Sequence, residues 1–267
     1  MRRFLLFFTM LIVICCCNPD KDLNPIIPVS NGSLEMAKTY GGSKNDVAKS
    51  VIATSDGGFA VLGYTQSIDG DVTEKSSENY DYWLLKFNSE ALLEWTKTYG
   101  GSGDDRGNQV IQTSDGGYVL IGYSDSSDGD VTINNGNRDF WVIKINATGA
   151  IIWEKSFGYS GADEGVSILE TSDNHFVLSG VLDVTASGGN GNTGRYSPSH
   201  AGGDYWSIKI NASGDLVWSR FYGGSFTDNP AGIIENITSD LITVGGSDSN
   251  DVDISNNKGT YDFWVVK

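Results

Sequence analysis

Thr113-Ser114-Asp115-Gly116-Gly117-Tyr118-Val119-Leu120-Ile121-Gly122 reads as a β-hairpin turn followed by its second strand. Asp-Gly between apolar runs is a strong hairpin signal, because tight turns need residues that tolerate left-handed backbone. Tyr118 to Ile121 are apolar in succession. Such a strand has two greasy faces and needs a packed layer on each side. The motif recurs as Thr54-Ser55-Asp56-Gly57-Gly58, decays to Thr171-Ser172-Asp173-Asn174-His175, and survives as Thr238-Ser239-Asp240. A glycine ends the strand after each copy: Gly63, Gly122, Gly180 and Gly245.

Working outward, the hairpin lies inside a unit that repeats at about 60 residues, longer than most solenoid repeats. Upstream stands Lys97-Thr98-Tyr99-Gly100-Gly101-Ser102, echoed at Lys38–Ser43, Lys155–Ser160 and Arg220–Ser225. An aspartate follows three residues after each serine: Asp46, Asp105, Asp163 and Asp228. Downstream, a polar loop leads to an Asp-aromatic-Trp-x-x-Lys strand. Its copies begin at Asp81, Asp139, Asp204 and Asp262, with Trp83, Trp141, Trp206 and Trp264 two residues on. A fourth strand carries Trp95, Trp153 or Trp218. The third unit is longer because of an insertion over 184–203.

Four strands per unit, several apolar on both faces, predict an all-β protein whose four-stranded sheets stack as blades of a β-propeller. A two-layer sandwich would leave one face of each sheet wet. The expected units are 34–92, 93–151, 152–216 and 217–267. Leu34 to Tyr40 has the fourth-strand pattern and the chain stops in a third-strand pattern, so the N-terminal strand is expected to complete the last blade and hide both edges. An open arc or partial propeller is the alternative. The repeated Trp side chains are assigned to the core, each worth roughly 1.5–3 kcal/mol or more when buried. Residues repeated in every unit are assigned to the fold, because a ligand site needs one copy. Asp81, Asp139, Asp204 and Asp262 are expected to cap turns. Lys86, Lys144, Lys209 and Lys267 are expected to pair with Asp46, Asp105, Asp163 and Asp228.

Across 34–267 the repeats resemble those of secreted Bacteroidota propeller lipoproteins, whose unit is similar to Trp-x-Lys-x-Tyr-Gly-Gly-Ser, Thr-x-Asp-Gly-Gly-Tyr and Asp-x-Trp-x-x-Lys. That resemblance implies a propeller and no particular activity. Thr148-Gly149-Ala150-Ile151-Ile152-Trp153, and in part Ser213-Gly214 with Trp218, also resembles the docking motif of quinoprotein propellers. Where that motif carries an upstream aspartate, this chain has Asn146 and Asn211.

The first residues read as an address. Met1-Arg2-Arg3 is basic, and Phe4 to Ile14 is apolar but too short to span a bilayer. Cys15-Cys16-Cys17 then resembles a bacterial lipoprotein signal, with Cys16 or Cys17 as the lipid acceptor and residues 1–17 as the signal peptide. Asn18-Pro19-Asp20-Lys21-Asp22 resembles a surface-export signal, and 18–33 reads as an extended tether. The expected location is the outer membrane, anchored through the acyl chain and surface-exposed. All three cysteines of the chain lie here, so the body has no disulfide.

The chain carries 34 acidic and 18 basic residues, a formal charge of -16. Nucleic acid is excluded as a partner, because phosphate binding needs clustered Lys and Arg. Three units carry an acidic loop: Asp69-Gly70-Asp71-Val72, Asp128-Gly129-Asp130-Val131 and Asp251-Val252-Asp253-Ile254. Paired carboxylates in such turns are candidate calcium ligands; the competing reading is an Asp-stabilised turn that docks its Val or Ile. No other cofactor is expected. No Ser-His-Asp order, zinc spacing or phosphate loop is present. His175 falls in a hairpin turn; Arg195, Tyr196 and His200 fall in the insertion and are the candidate ligand residues there. Loops on a rigid scaffold carry function, which places binding on 65–80, 124–138, 182–203 and 247–261. The sequence reads as a non-enzymatic cell-surface scaffold for an extracellular glycan or protein. The competing reading is an enzyme acting on polysaccharide or a quinoprotein-like oxidoreductase.

Overall fold

The computed structural model describes residue 32, residues 34–194 and residues 199–267. It divides into two units, Met1–Thr39 and Tyr40–Lys267. The signal peptide, Cys16, Cys17, Arg195 and Tyr196 lie outside the described residues. In the second unit each repeat folds into an antiparallel sheet with strands in chain order. The first sheet holds β1 (Asp46–Ala53), β2 (Phe59–Thr65), β3 (Asp81–Phe87) and β4 (Leu93–Tyr99). The second holds β5 (Asp105–Gln112), β6 (Tyr118–Ser124), β7 (Asp139–Ile145) and β8 (Ile151–Phe157). The third holds β9 (Glu164–Glu170), β10 (Phe176–Asp183), β11 (Gly203–Ile210) and β12 (Leu216–Tyr222). The fourth has three strands, β13 (Asp228–Glu235), β14 (Leu241–Ser247) and β15 (Asp262–Val266). A single helical turn, α1 (Val184–Ser187), opens the insertion; Asp183 caps its start and left-handed Gly188 ends it.

Two expectations need correction. Leu34 to Tyr40 carries no strand, so it does not complete the fourth sheet. The sheets also begin at Asp46, Asp105, Glu164 and Asp228, later than the expected unit boundaries, because each fourth strand pairs backward onto its own third strand.

The sheets pack one on the next through their first strands. β5 lies against β1, β2 and β3; β9 against β5, β6 and β7; β13 against β9, β10 and β11. Side chains alternate across each strand, so each sheet has a trailing face turned to its successor and a leading face turned to its predecessor. Ala60, Leu62, Tyr82 and Leu84 on the first sheet meet Val110, Leu120, Trp141 and Ile143 on the second. Val119, Ile121, Phe140 and Val142 meet Leu178, Trp206 and Ile208 in the same way. The third-strand Trp residues are therefore core, with Trp83, Trp141 and Trp206 buried and Trp264 half-buried.

The aromatic preceding each Trp works as a knob. A Cβ at Gly122 would sit 2.6 Å from Tyr82 Oη, one at Gly180 2.6 Å from Phe140 Cζ, and one at Gly245 2.5 Å from Tyr205 Oη. These glycines leave the hollow into which the preceding sheet's aromatic fits. Tyr82 also donates to the Trp141 carbonyl at 2.9 Å, which satisfies a hydroxyl that would be costly to bury alone.

Candidate ligand-binding groove

The same four glycines have a second neighbour. A Cβ at Gly63, Gly122, Gly180 or Gly245 would run into the carbonyl of Val47, Arg106, Glu164 or Asn229. Each carbonyl leans in because the first strand bulges there. Pairing skips Lys49 between Ala48 and Ser50, and Asn108 between Gly107 and Gln109. It skips Val166 between Gly165 and Ser167, and Ala231 between Pro230 and Gly232. A bulge inserts an unpaired residue and re-aims its side chain, and bulges concentrate near functional sites.

All four bulge residues line one groove. It has a volume of about 380 Å³, and Lys49, Asn108, Val166 and Ala231 share it with Ser50, Gln109, Glu164 and Ser167. The backbone device is identical in every sheet, yet the four side chains differ. Much of the polar lining is anchored. Asn108 Nδ2 donates to the Gly165 carbonyl at 2.8 Å and to Glu164 Oε1 at 3.2 Å. Gln109 Oε1 accepts from Ile168 N at 2.5 Å, and Ser50 Oγ from Val110 N at 3.3 Å. Arg138 lies 3.5 Å from Glu164. Lys49, in contrast, has no hydrogen-bond or ion-pair partner among the described residues. The groove thus offers an unpaired cation, amides, hydroxyls and one carboxylate. It holds neither a cluster of acids suited to paired-carboxylate chemistry nor an apolar plug.

The six acidic-loop residues serve a different place. Asp69 Oδ1 accepts from Ser43 N at 2.7 Å, and Asp71 Oδ2 from Gly41 N at 3.0 Å. Asp128 and Asp130 hold Ser102 N and Gly100 N at 2.7 and 3.1 Å, and Asp251 and Asp253 hold Ser225 N and Gly223 N at 2.9 and 3.3 Å. They clamp the Tyr-Gly-Gly-Ser segments that pass from sheet to sheet, and Val72, Val131 and Ile254 dock in the apolar interior. Bonds from Ser43 hold Asp69 below its usual range, and the Ser225 hydroxyl and amide do the same for Asp251. Among the described residues no three His, Cys, Asp or Glu side chains are grouped so as to hold a metal ion.

The opposite side of each clamp is made by the aspartates after Tyr-Gly-Gly-Ser. Asp46, Asp105 and Asp228 accept from Gly42, Gly101 and Gly224 N at 2.9, 2.7 and 2.9 Å, and Asp163 from Tyr159 N at 2.7 Å. Their expected lysine partners are elsewhere. Lys86, Lys144, Lys209 and Lys267 pair with Asp56, Asp115, Asp173 and Asp240 of the hairpin turns at 2.8, 2.7, 2.8 and 2.8 Å. The reason is reach: these lysines lie at the end of the third strand beside the hairpin, while Asp46 and its equivalents lie at the other end of the sheet. Asp139 and Asp262 cap turns as expected, accepting from Asn135 N and Lys258 N. Asp81 and Asp204 instead face Lys75 and His200.

At these junctions carboxylates of successive sheets face each other. A Cβ at Gly100 would touch Asp105 Oδ2 at 2.6 Å and Asp81 Oδ1 at 2.9 Å. Burial pushes Asp81 up to about 7 against the pull of Lys75, with Asp105 and Asp130 adding to the rise. Burial likewise raises Asp105, Asp163 and Asp204 to about 6. His200 is not a surface ligand. It is buried 2.6 Å from Asp204, 3.8 Å from Asp253, and edge-on to Phe221. Burial alone would lower its pKa; the Asp204 hydrogen bond and the charges of Asp204, Asp253 and Asp228 win, and the pKa is raised. His175 lies in its hairpin turn as expected, and its side chain is half-buried there beside Asp173.

No family model and no curated protein matches the chain. Among solved structures it is similar to a protein of unknown function from Bacteroides caccae, at 11% identity and a TM-score of 0.42. The match covers 74% of this chain and 53% of the other, so the chain spans about half the length of that protein. The groove was missed in the sequence. The four bulge positions carry no shared residue; only the glycines opposite them repeat.

Proposed function

We propose that the chain is a non-enzymatic, propeller-like scaffold, lipid-anchored through Cys16 or Cys17 at the outer surface, that binds an extracellular glycan in the groove along its first strands. One observation carries the reading: four equivalent bulges deliver four different side chains, Lys49, Asn108, Val166 and Ala231, to one polar groove. Repeated residues serve the repeat; divergence at a repeated, converging position is what a single ligand site requires. The lining suits a hydroxyl-rich ligand. Donors and acceptors both line the groove, several are fixed by neighbouring strands, and pre-ordered polar groups lower the entropic cost of binding. The many small polar loops remain display surface rather than the primary seat, because their acidic motifs are engaged in clamping.

Titration of the purified protein on a panel of bacterial and host glycans tests this. A hit that weakens at least tenfold in a Lys49→Ala, Asn108→Ala double variant, and persists when the insertion is shortened, supports the groove. A hit lost with the insertion and indifferent to Lys49 and Asn108 returns the binding surface to the loops.

A further inference from the structure

Lys75, Lys86 and Lys144 are the buried lysines among the described residues. Lys86 and Lys144 serve the repeat, pairing with Asp56 and Asp115 of the hairpin turns. Lys75 does not. It stands in the loop before β3, and the second and fourth units carry Ile133 and Asn256 at the same distance ahead of Asp139 and Asp262. A buried cation that breaks the repeat is doing something the repeat does not need.

Its surroundings suit an amine reacting with an amide. Lys75 Nζ is ringed by the Ser77 carbonyl at 2.5 Å, Ser77 Oγ at 3.3 Å, Asp81 Oδ1 at 3.2 Å and Asn79 Oδ1 at 3.4 Å. The Lys75 side chain is 1% exposed and that of Asp81 11%. The contact with Asn79 sets the nitrogen against the carbonyl whose carbon, Cγ, an amine attacks, and productive attack starts from such close, fixed neighbours. The amide is held from its other end. Asn79 Nδ2 donates to the Gly101 carbonyl at 2.9 Å and to the Gly103 carbonyl, both in the passage from β4 to β5. An amide nitrogen carries two hydrogens, and these bonds use both. Asp81 Oδ1, 3.4 Å from Nδ2, is left free to act on that nitrogen as an acid. Burial first, with Asp105 and Asp130 adding to it, pushes Asp81 up to about 7 against the pull of Lys75, so its carboxyl holds a proton near neutral pH. A lysine becomes a nucleophile once its ammonium gives up a proton, which is favoured where the amine is shut off from water.

We propose that Lys75 and Asn79 join in an isopeptide bond, with Asp81 as the proton carrier. Lys75 passes a proton to Asp81, and the neutral amine attacks Asn79 Cγ. The bond from Cγ to Nδ2 then breaks. Asp81 returns its proton to Nδ2, the former amine nitrogen gives up one more, and Nδ2 leaves as ammonium. One C–N bond forms and one breaks, Asp81 ends as it began, and neither oxidant nor reductant is consumed. The product removes a buried ammonium, which is costly to keep from water. It also staples the loop ahead of β3 in a body that has no cysteine for a disulfide.

Trypsin reads the bond. Cleavage after Lys49, Lys75 and Lys86 would give peptides 50–75 and 76–86. From the purified full chain, denatured before digestion, the expected product is instead one peptide, 50–86, lighter by one ammonia than its sequence and with the loss placed by fragmentation on linked Lys75 and Asn79. Lys75→Arg should restore two peptides of full mass, and so should Asn79→Ala. Asp81→Asn should slow linkage ~100-fold or more, followed as the linked fraction against time after refolding. Two unlinked peptides of full mass from the unmodified chain overturn the proposal. So does an ammonia loss that persists in Lys75→Arg, which is a cyclic imide at an asparagine rather than a link to lysine. Linkage at an undiminished rate in Asp81→Asn overturns the proton-carrying step.

Discussion

The second and fourth sheets are written in nearly the same letters and live in different surroundings. In the second, every residue of β6 and β7 is buried. In the fourth, β15 alternates between half-buried and exposed, and Phe263 is bare. Trp141 and Trp264 stand at equivalent positions; Trp141 is 0% exposed, and Trp264 is half-buried. Burial here is a property of the stack rather than of the strand. A repeat cannot shield its own two faces, so its stability depends on having both neighbours.

The sharpest way to break that comparison is to delete the same side chain in both places. Trp141→Ala removes a side chain packed on Tyr82 at 4.8 Å and hydrogen-bonded to Glu154 at 2.9 Å. It should cost ~3–5 kcal/mol. Trp264→Ala should cost less than half as much, read as shifts in the denaturation midpoint. Equal losses would mean that the fourth sheet is as enclosed as the second. The next contrast uses glycine. Gly122→Ala drives a methyl group into the Arg106 carbonyl and Tyr82 Oη and should cost ~1–3 kcal/mol. Gly246→Ala meets nothing closer than Tyr261 Cδ1 at 3.5 Å. It should be neutral or add up to ~1 kcal/mol by restricting the unfolded chain.

The junction carboxylates make a pH-dependent contrast between the linked sheets. Asp105, Asp163 and Asp204 are raised to about 6, and Asp81 to about 7, first by burial. Between the ordinary carboxylate range and these values the folded state holds protons that the unfolded state has released. Stability therefore falls as pH rises through that window and is fuller below it. Asp56, Asp115, Asp173 and Asp240 are lowered by their lysines and act in the opposite sense, losing their contribution only below the ordinary carboxylate range. Tm should therefore drop between about pH 4.5 and pH 7 by several degrees, since ~1 kcal/mol moves a domain of this size by ~2–4 °C. Asp105→Asn should flatten the slope. A Tm that rises across the window would refute the burial of these acids.

Much of the fold was legible because its signals are local. Asp-Gly turns, apolar runs and the Trp period identify the strands, and two-faced strands demand stacked sheets. What could not be read depends on three-dimensional neighbours. The bulges at Lys49, Asn108, Val166 and Ala231 have no common residue, and only Gly63, Gly122, Gly180 and Gly245 mark where they must be. The lysine pairing was misread for a related reason. Equal repetition made Asp46 and Asp56 equally eligible in one dimension, and only the antiparallel register places Lys86 opposite Ala60, at the hairpin end. His200 looked like a loop histidine because nothing in the insertion's composition shows that it folds back between Asp204 and Asp253.

The lysines supply the finest test of how enclosure changes one motif. Lys144 and Lys267 make the same pair, with Asp115 and Asp240, at 2.7 and 2.8 Å. Lys144 has a side chain only 5% exposed and also donates to Thr113 Oγ1, so it ties the third strand to the hairpin from within. Lys267 is 64% exposed, so water screens its pair. Lys144→Ala leaves a buried turn acceptor without its donor and should cost ~1–3 kcal/mol; Lys267→Ala should cost under ~1 kcal/mol. Asp115 reports on the event directly. The Lys144 and Thr113 bonds hold its pKa at about 2, and removing the ammonium should let it climb toward the ordinary carboxylate value in a carboxyl-carbon NMR titration. If Asp115 stays low in Lys144→Ala, the Thr113 hydroxyl and Gly117 amide hold it, and the lysine is a packing residue whose charge does not set the turn.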